Sequence, residues 1–344
     1  MENDSLLELF SAPAFCAQNG TIRAVNQAAK LLGISPDTPL QPLLSEGLEE
    51  YASFTGGCLF LRLLFPDGGM DASVRRIDGE DYFVLEPESP PQLQALALAA
   101  RELRKPLASL MTVMDSLLTV PELQTSDGEE KLCQLNRGLY QLLRMVGNMS
   151  DAAGPIFHPE VRDITAILRE VLESAQARFP APRLEFSLPE QALYAPVDEA
   201  LLERAILNLI SNSLKYTPES GKILCGVTKK GKKLFISVSD TGSGIPPAQL
   251  GTVFSRYLRA PAVEDGRQGI GLGMTIVRAT AAAHGGAVLI DQPEGMGLRV
   301  TMTLSLRQDD SVQLRSPIYR VDYGGDRSHA LIELSDCLPW EEYT

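Results

Sequence analysis

Three short runs in the second half of the chain contain residue types that bind nucleotides. The first places Asn208, Asn212 and Lys215 four and three residues apart, so that a helix would carry all three on one face. An amide oxygen is a neutral ligand suited to Mg²⁺, and a lysine ammonium attracts phosphate as a point charge. We therefore predict that Asn212 binds Mg²⁺, that Lys215 approaches the phosphates and that Tyr216 lies against a base.

The other two runs are rich in glycine. The Asp240 carboxylate can accept a hydrogen bond from the amino group of adenine, while Gly242 and Gly244 let the backbone approach a ligand. The third run, residues 269–273, opens a helix predicted over residues 274–283, whose first amides favour an anion. These runs predict an adenine contact and a phosphate loop. The predicted loop residues are Gly269, Gly271, Leu272 and Gly273.

Together, the order and spacing of the three runs resemble the N, G1 and G2 boxes of one ATPase fold, which histidine kinases, type II topoisomerases and large heat-shock chaperones share. Residues 254–259 resemble the aromatic and basic segment before a histidine-kinase ATP lid, which implies that Arg259 meets a phosphate. The resemblance implies ATP and Mg²⁺ as cofactors. Hydrolysing branches of this fold place Glu four residues before the metal-binding Asn. Here that residue is Asn208, the histidine-kinase pattern, for which we expect a supporting hydrogen-bonding role.

Two long segments upstream have apolar residues at alternating spacings of three and four, which predicts a pair of helices with a heptad seam. They cover residues 93–117 and 132–149, and Ser126 with Glu129 fits a capping box before the second. A short loop between them predicts an antiparallel hairpin. One hairpin cannot bury its stripe on both sides, so we predict a homodimer that forms a four-helix bundle. The alternative is a seam packed against another part of the same chain.

The first of these helices contains a segment, residues 100–107, that resembles the phosphoacceptor box of sensor histidine kinases. Arg101 stands where the family has its phosphorylated His, at an exposed heptad position, and Glu102 occupies the family's general-base position. A guanidinium stays protonated and offers no lone pair to attack phosphorus. Lys105 replaces the Thr or Asn that the family uses for phosphatase activity. The matching residues are Glu102, Leu103, Arg104, Pro106 and Leu107.

Residues 1–87 are predicted to form a small α+β unit. The turn Asn19-Gly20 predicts a β-hairpin, Asn26 is placed to cap a helix, and three further strands are predicted over residues 57–85. This order resembles a PAS sensor domain, and the alternative is a structural cap that binds no ligand. Residues 307–344 lie outside the family pattern, with a helix predicted over 330–338 that packs on the chain's own surface.

Composition limits the remaining possibilities. The formal net charge of −13 argues against a nucleic-acid partner, which requires clustered basic residues. The 344 residues contain no apolar run long enough to suggest membrane insertion and no signal-peptide pattern at the start. Five scattered cysteines without CxxC spacing predict reduced thiols and a cytoplasmic protein.

These observations predict an α+β multidomain protein of the sensor histidine kinase family. We expect a PAS-like domain at 1–87, a dimerisation hairpin at 92–152, an ATP-binding α/β sandwich at 160–306 and an extension at 307–344. Because Arg101 replaces the acceptor, we expect an ATP-binding pseudokinase that serves as a scaffold or regulatory partner. The alternative is an active kinase that phosphorylates a His on another chain. Either role implies a histidine kinase or response regulator as partner.

Overall fold

A computed structural model describes residues 7–8, 10–66, 68–86, 91–151, 154, 156–179, 183–246, 272–306 and 327–344. The architecture is α+β, as expected. Across these residues, no helix combines the length and the apolar composition that a membrane crossing requires. All five cysteines are free, and none forms a disulfide.

The N-terminal part consists of a hairpin, two short helices and a three-stranded meander. Asn19 and Gly20 adopt the positive φ angles of 52° and 76° that a tight hairpin turn requires, which confirms the predicted turn. Asn26 caps the first helix through a 2.9 Å hydrogen bond from the Ala29 amide, as predicted. The elements are β1 Ala14–Gln18, β2 Thr21–Val25, α1 Gln27–Leu31, α2 Leu48–Ser53, β3 Cys58–Phe65, β4 Gly68–Ile77 and β5 Glu80–Glu86.

Two long helices follow, α3 Pro91–Leu117 and α4 Ser126–Asp151, and they form the predicted antiparallel pair. Arg104 in the middle of α3 donates to Ser150 near the end of α4 at 3.1 Å. The predicted cap at Ser126 is wrong by one residue. The Thr125 hydroxyl accepts from the Gly128 amide at 3.2 Å, because a cap must lie three residues before the amide that it satisfies.

Burial along this helical pair divides the heptad seam in two. Among the side chains of α3 that the structure describes, those at the first position of a heptad are buried within the chain, whereas Leu103 and Leu110 at fourth positions are 48% and 55% exposed. In α4 the pattern repeats, with Leu139 and Val146 buried and Leu135 and Leu142 exposed. One half of the seam therefore packs inside the chain and the other half forms an apolar stripe on its surface. The buried first positions of α3 are Ala100, Leu107 and Met114.

The remaining part of the chain places three helices against a sheet. Asp198 caps α6 by accepting from the Leu201 amide at 3.3 Å, and α6 ends before Pro218, as predicted. The helices are α5 Ile164–Gln176, α6 Glu199–Tyr216 and α7 Gly273–Ala283. The strands are β6 Glu160–Asp163, β7 Leu184–Ser187, β8 Tyr194–Val197, β9 Ile223–Lys230, β10 Lys233–Asp240, β11 Val288–Asp291 and β12 Arg299–Ser305.

The strands of both parts join in one ten-stranded sheet in the order β2-β1-β5-β4-β3-β11-β12-β10-β9-β7, while β6 and β8 form a separate pair. The junction is the antiparallel pairing of β3 with β11, in which Phe60 lies opposite Val288 and Cys58 opposite Ile290. The N-terminal part is therefore attached to the C-terminal part by backbone hydrogen bonds that the sequence pattern did not predict.

Residues 327–344, which we name the terminal segment, pack on the chain's own surface, as predicted. Their helix is shorter than expected. It covers α8 His329–Glu333 instead of residues 330–338, because the chain turns after Leu334 to place Trp340–Tyr343 as a 3₁₀ turn against α4. The Tyr343 ring is buried 5.1 Å from the Tyr140 ring, and the Tyr343 hydroxyl donates to the Leu331 carbonyl at 2.9 Å.

Candidate functional site

Helix α6 presents the predicted polar face. Asn208 is fully buried, while Asn212 and Lys215 are partly exposed further along the same face. The Asn208 side-chain amide donates to the Arg204 carbonyl at 2.9 Å and to the Glu333 carboxylate at 3.0 Å. Its side-chain oxygen accepts from the Arg144 guanidinium at 3.3 Å. Asn208 thus links three segments by hydrogen bonds, as the expected supporting role requires.

Acidic residues of the terminal segment meet the basic residues around α6. The Lys215 ammonium lies 2.6 Å from the Asp336 carboxylate, and the Arg144 guanidinium lies 2.8 Å from the same group. Glu333 is completely buried between Arg144 and Arg204, at 3.2 Å from each. The sequence pattern does not predict this cluster. The only signal was a pair of acidic residues three apart, and nothing local indicates which cations they contact.

The surroundings of Asp336 favour its charged form. Burial alone would raise the pKa of Asp336, but the charges of Arg144 and Lys215 outweigh it and hold that pKa below its ordinary value. Arg204 also pairs with Asp151 at the end of α4. Three cations of the cluster therefore face three carboxylates, those of Asp151, Glu333 and Asp336.

Asp240 lies at the end of β10 and is buried. One carboxylate oxygen accepts from the Gly242 amide at 2.9 Å and the Leu298 amide at 3.2 Å, and the other accepts from the Ser213 hydroxyl at 3.3 Å. The chain thus holds the carboxylate in one orientation, which suits a group that accepts a hydrogen bond from the amino group of a ligand.

Each of the two glycines after Asp240 lies where a side chain would be unfavourable. A Cβ on Gly242 would lie 2.4 Å from the Tyr216 carbonyl oxygen, so a side chain there would collide with the end of α6. Gly244 has a φ of 67°, a conformation that side chains disfavour. The turn therefore lies directly against α6. The Tyr216 side chain is 55% exposed, and among the described residues no aromatic ring contact involves it.

The start of α7 meets the face of α6, as the predicted phosphate loop requires. A Cβ on Gly273 would lie 2.6 Å from the Asn208 side-chain oxygen, so only glycine allows this approach. Leu272 is buried and packs against Leu96 of α3 and Met149 of α4. Three of the predicted contacts, Arg259, Gly269 and Gly271, lie outside the described residues.

The phosphoacceptor-like segment lies on the surface of α3. Arg101, Glu102 and Lys105 are all exposed, as expected for positions outside the seam. The described side chains contain no group of three His, Cys, Asp or Glu residues able to hold a metal. The predicted magnesium site does not need one, because Mg²⁺ takes one amide oxygen together with phosphate oxygens and water. Asn212, partly exposed beside Lys215, fits that role.

Several known proteins are similar to this chain. Residues 197–308 match the family described as Histidine kinase-, DNA gyrase B-, and HSP90-like ATPase. Over 240 residues the chain is 30% identical to sensor protein kinase PmrB of Pseudomonas aeruginosa, covering 67% of this chain and 48% of that protein. Over 245 residues it is 29% identical to sensor histidine kinase WalK of Bacillus subtilis, covering 66% of this chain and 39% of that protein.

Among solved structures, full-length ShkA in complex with AMPPNP is 26% identical, with a TM-score of 0.47, and the match covers 61% of this chain and 45% of that one. The chain spans about half, or less, of the length of these relatives. The comparisons support membership of this chain in the sensor histidine kinase family, with residues 197–308 as its histidine kinase-, DNA gyrase B- and HSP90-like ATPase region.

Proposed function

We propose that this chain binds ATP with Mg²⁺ and acts in two-component signal transduction as a pseudokinase, a regulatory or scaffold partner that cannot phosphorylate itself. The observation that carries the proposal is Arg101, exposed on α3 where the family has its phosphoacceptor His. A guanidinium has no free lone pair, so it cannot replace the imidazole as nucleophile. For the same reason Glu102 has no acceptor to serve as a base.

The proposed nucleotide site lies where α6, the turn after β10 and the start of α7 meet. Asn212 holds Mg²⁺, Lys215 contacts the phosphates and Asp240 accepts a hydrogen bond from adenine. Two close approaches support this placement of the nucleotide, because they bring the three sequence runs together. Gly242 lies against Tyr216, and Gly273 lies against Asn208. Further proposed contacts are Gly244, Arg259, Gly269, Gly271 and Leu272.

The proposed domain organisation follows the predicted boundaries. Five antiparallel strands with an Asn-capped helix support a PAS-like domain at 1–87. Its core contains the stacked rings of Phe15 and Phe83, 4.6 Å apart. Residues 92–152 form the dimerisation hairpin, 160–306 the ATP-binding domain and 307–344 an extension.

We further propose that the chain forms a homodimer through α3 and α4. The support is the divided heptad seam. Leu103 and Leu110 on α3 and Leu135 and Leu142 on α4 are exposed at the positions that a four-helix bundle would bury. A histidine kinase or response regulator is the proposed partner, and the cytoplasm the proposed location.

The alternative function is a kinase that phosphorylates a His on a partner chain, and the preserved site supports it. The discriminating experiment incubates the chain with γ-labelled ATP and Mg²⁺, alone and with candidate histidine kinases and response regulators. A pseudokinase transfers no label to itself or to a partner. Acid-labile label on a partner would establish the alternative, and acid-labile label on this chain alone would refute the pseudokinase proposal.

Arg101→His is the informative reversal. It restores an imidazole at an exposed position of α3 without changing the packed core, so autophosphorylation should appear if the rest of the machinery is competent. Arg101→Gln is the matched control, since it removes the charge without supplying a nucleophile and should remain unlabelled.

A further inference from the structure

We propose that the Asp336 carboxylate competes with ATP for Lys215. The carboxylate contacts Lys215 when no nucleotide is bound, and it must move away when phosphates bind there. The inference rests on the proposed function, because it assumes that Lys215 receives phosphate. It assigns a regulatory role to the terminal segment, which lies outside the matched ATPase region.

The Lys215 ammonium cannot make a full-strength contact with Asp336 and with a phosphate at the same time. The Lys215 ammonium is 2.6 Å from the Asp336 carboxylate, a distance at which a charge-assisted hydrogen bond is fully formed. A phosphate oxygen on Lys215 needs the same short range. Asp336 also holds the Arg144 guanidinium at 2.8 Å, so its departure would free Lys215 and one side of Arg144, which stays paired with Glu333.

Glu333 and Asp336 differ in their freedom to move. Glu333 is fully buried and is held by Arg144, Arg204 and Asn208. Asp336 retains 28% side-chain exposure and can turn toward water. Glu333 therefore anchors the segment, while Asp336 is the exchangeable anion. Phosphates would bring further negative charge to cations that already have carboxylate partners.

Helix α4 holds the terminal segment, which carries Asp336, in place. The Asn136 amide donates to the Tyr343 carbonyl at 2.9 Å, and the Arg137 guanidinium donates to the Ser335 carbonyl at 3.1 Å. Because α4 belongs to the helical pair, a shift of α4 would move Asp336 relative to Lys215. Any movement of the helices would thereby change access to the phosphate end of the site.

The test measures ATP–Mg²⁺ affinity of the full chain by titration calorimetry. Asp336→Asn should tighten binding about 10-fold, within the usual range of coupling between sites. Lys215→Ala should weaken binding, and the gain from Asp336→Asn should disappear or shrink markedly in the Lys215→Ala background. Glu342→Gln is the matched control, because Glu342 is an acidic residue of the same segment that pairs with Arg178 instead.

The outcomes separate the two proposals. If the parent binds ATP and Asp336→Asn leaves the affinity unchanged or lowers it, while thermal unfolding shows an intact fold, the competitor proposal is wrong and ATP binding stands. An equal gain in Glu342→Gln would also overturn it, since general loss of negative charge would then explain the effect. If neither the parent nor Asp336→Asn binds ATP, the proposed function itself fails.

Discussion

The ammonium of Lys233 lies 2.9 Å from the carboxylate of Glu50, and both side chains are buried. Lys233 begins β10 of the C-terminal part, whereas Glu50 lies on α2 of the N-terminal part. Thr303 on β12 donates to the same carboxylate oxygen at 2.7 Å. The pair therefore reinforces the junction that β3 and β11 form in the sheet, and it ties the two parts together with charge as well as backbone hydrogen bonds.

Glu50→Gln should destabilise the chain by about 3 kcal/mol, because it leaves the Lys233 ammonium buried without its counter-charge. Urea unfolding monitored by circular dichroism measures the change in the free energy of unfolding. Glu49→Gln is the control, since Glu49 is exposed beside it and its loss should cost less than about 0.5 kcal/mol. Equal effects in the two variants would show that the buried pair does not stabilise the junction.

His284 should make the chain less stable in acid. Its Nε2 accepts from the Asp198 amide at 3.0 Å, and its Nδ1 donates to the Thr280 carbonyl at 2.7 Å, so the neutral ring satisfies both partners. Burial lowers the pKa of His284 despite the opposing effects of Thr280 and the Asp198 charge. The folded state therefore disfavours the proton that the unfolded chain accepts. Stability is fully present above about pH 6.5 and is lost as the pH falls below it.

The measurement is the free energy of unfolding of the parent and of His284→Gln between pH 7.5 and 5. The parent should lose stability over this range faster than His284→Gln, which has no ring to protonate. Parallel curves for the parent and His284→Gln would show that His284 does not contribute to acid sensitivity.

The double variant Leu103→Glu with Leu110→Glu should convert a dimer to a monomer. Both leucines lie on the exposed half of the seam, where two copies would bring introduced carboxylates together in an apolar interface. Sedimentation velocity across a range of concentrations should show at least about 100-fold weaker association, as a loss of roughly 3 kcal/mol implies. Leu98→Glu is the control, because Leu98 is exposed but lies outside the seam. A parent that is monomeric at all concentrations would contradict the dimer.

Asp240→Asn should weaken ATP binding at least about 10-fold, which corresponds to about 1.4 kcal/mol. The new amide would turn a donor toward the Gly242 and Leu298 amides or toward adenine, and neither arrangement satisfies all partners. Titration calorimetry with ATP–Mg²⁺ measures the change, with Glu185→Gln on the exposed face of β7 as control. Unchanged affinity would place the adenine contact elsewhere.

Features that depend on neighbouring residues followed from the sequence. The Asn19-Gly20 turn, the caps at Asn26 and Asp198 and the common face of Asn208, Asn212 and Lys215 were all predicted. Each arises within a few residues, because turn geometry, capping and helical periodicity are local properties. The cap of α4 was predicted at Ser126 but is formed by Thr125. Two adjacent hydroxyls can each serve as the cap, and only the geometry of the chain that enters the helix selects between them.

The tertiary structure decided which distant surfaces meet. The heptad pattern showed a seam in α3 and α4, but only packing showed that Leu107 faces inward while Leu103 faces outward. The pairing of β3 with β11 and the contact of Asp336 with Lys215 join residues far apart in the chain, and no periodicity encodes such a partner. The sequence by itself determined a set of residue types that suit a nucleotide, and an arginine where the resemblance places the phosphoacceptor. Only the fold showed that the chain places its own carboxylates where phosphates are proposed to bind, because long-range contacts depend on shape and charge complementarity across the whole molecule.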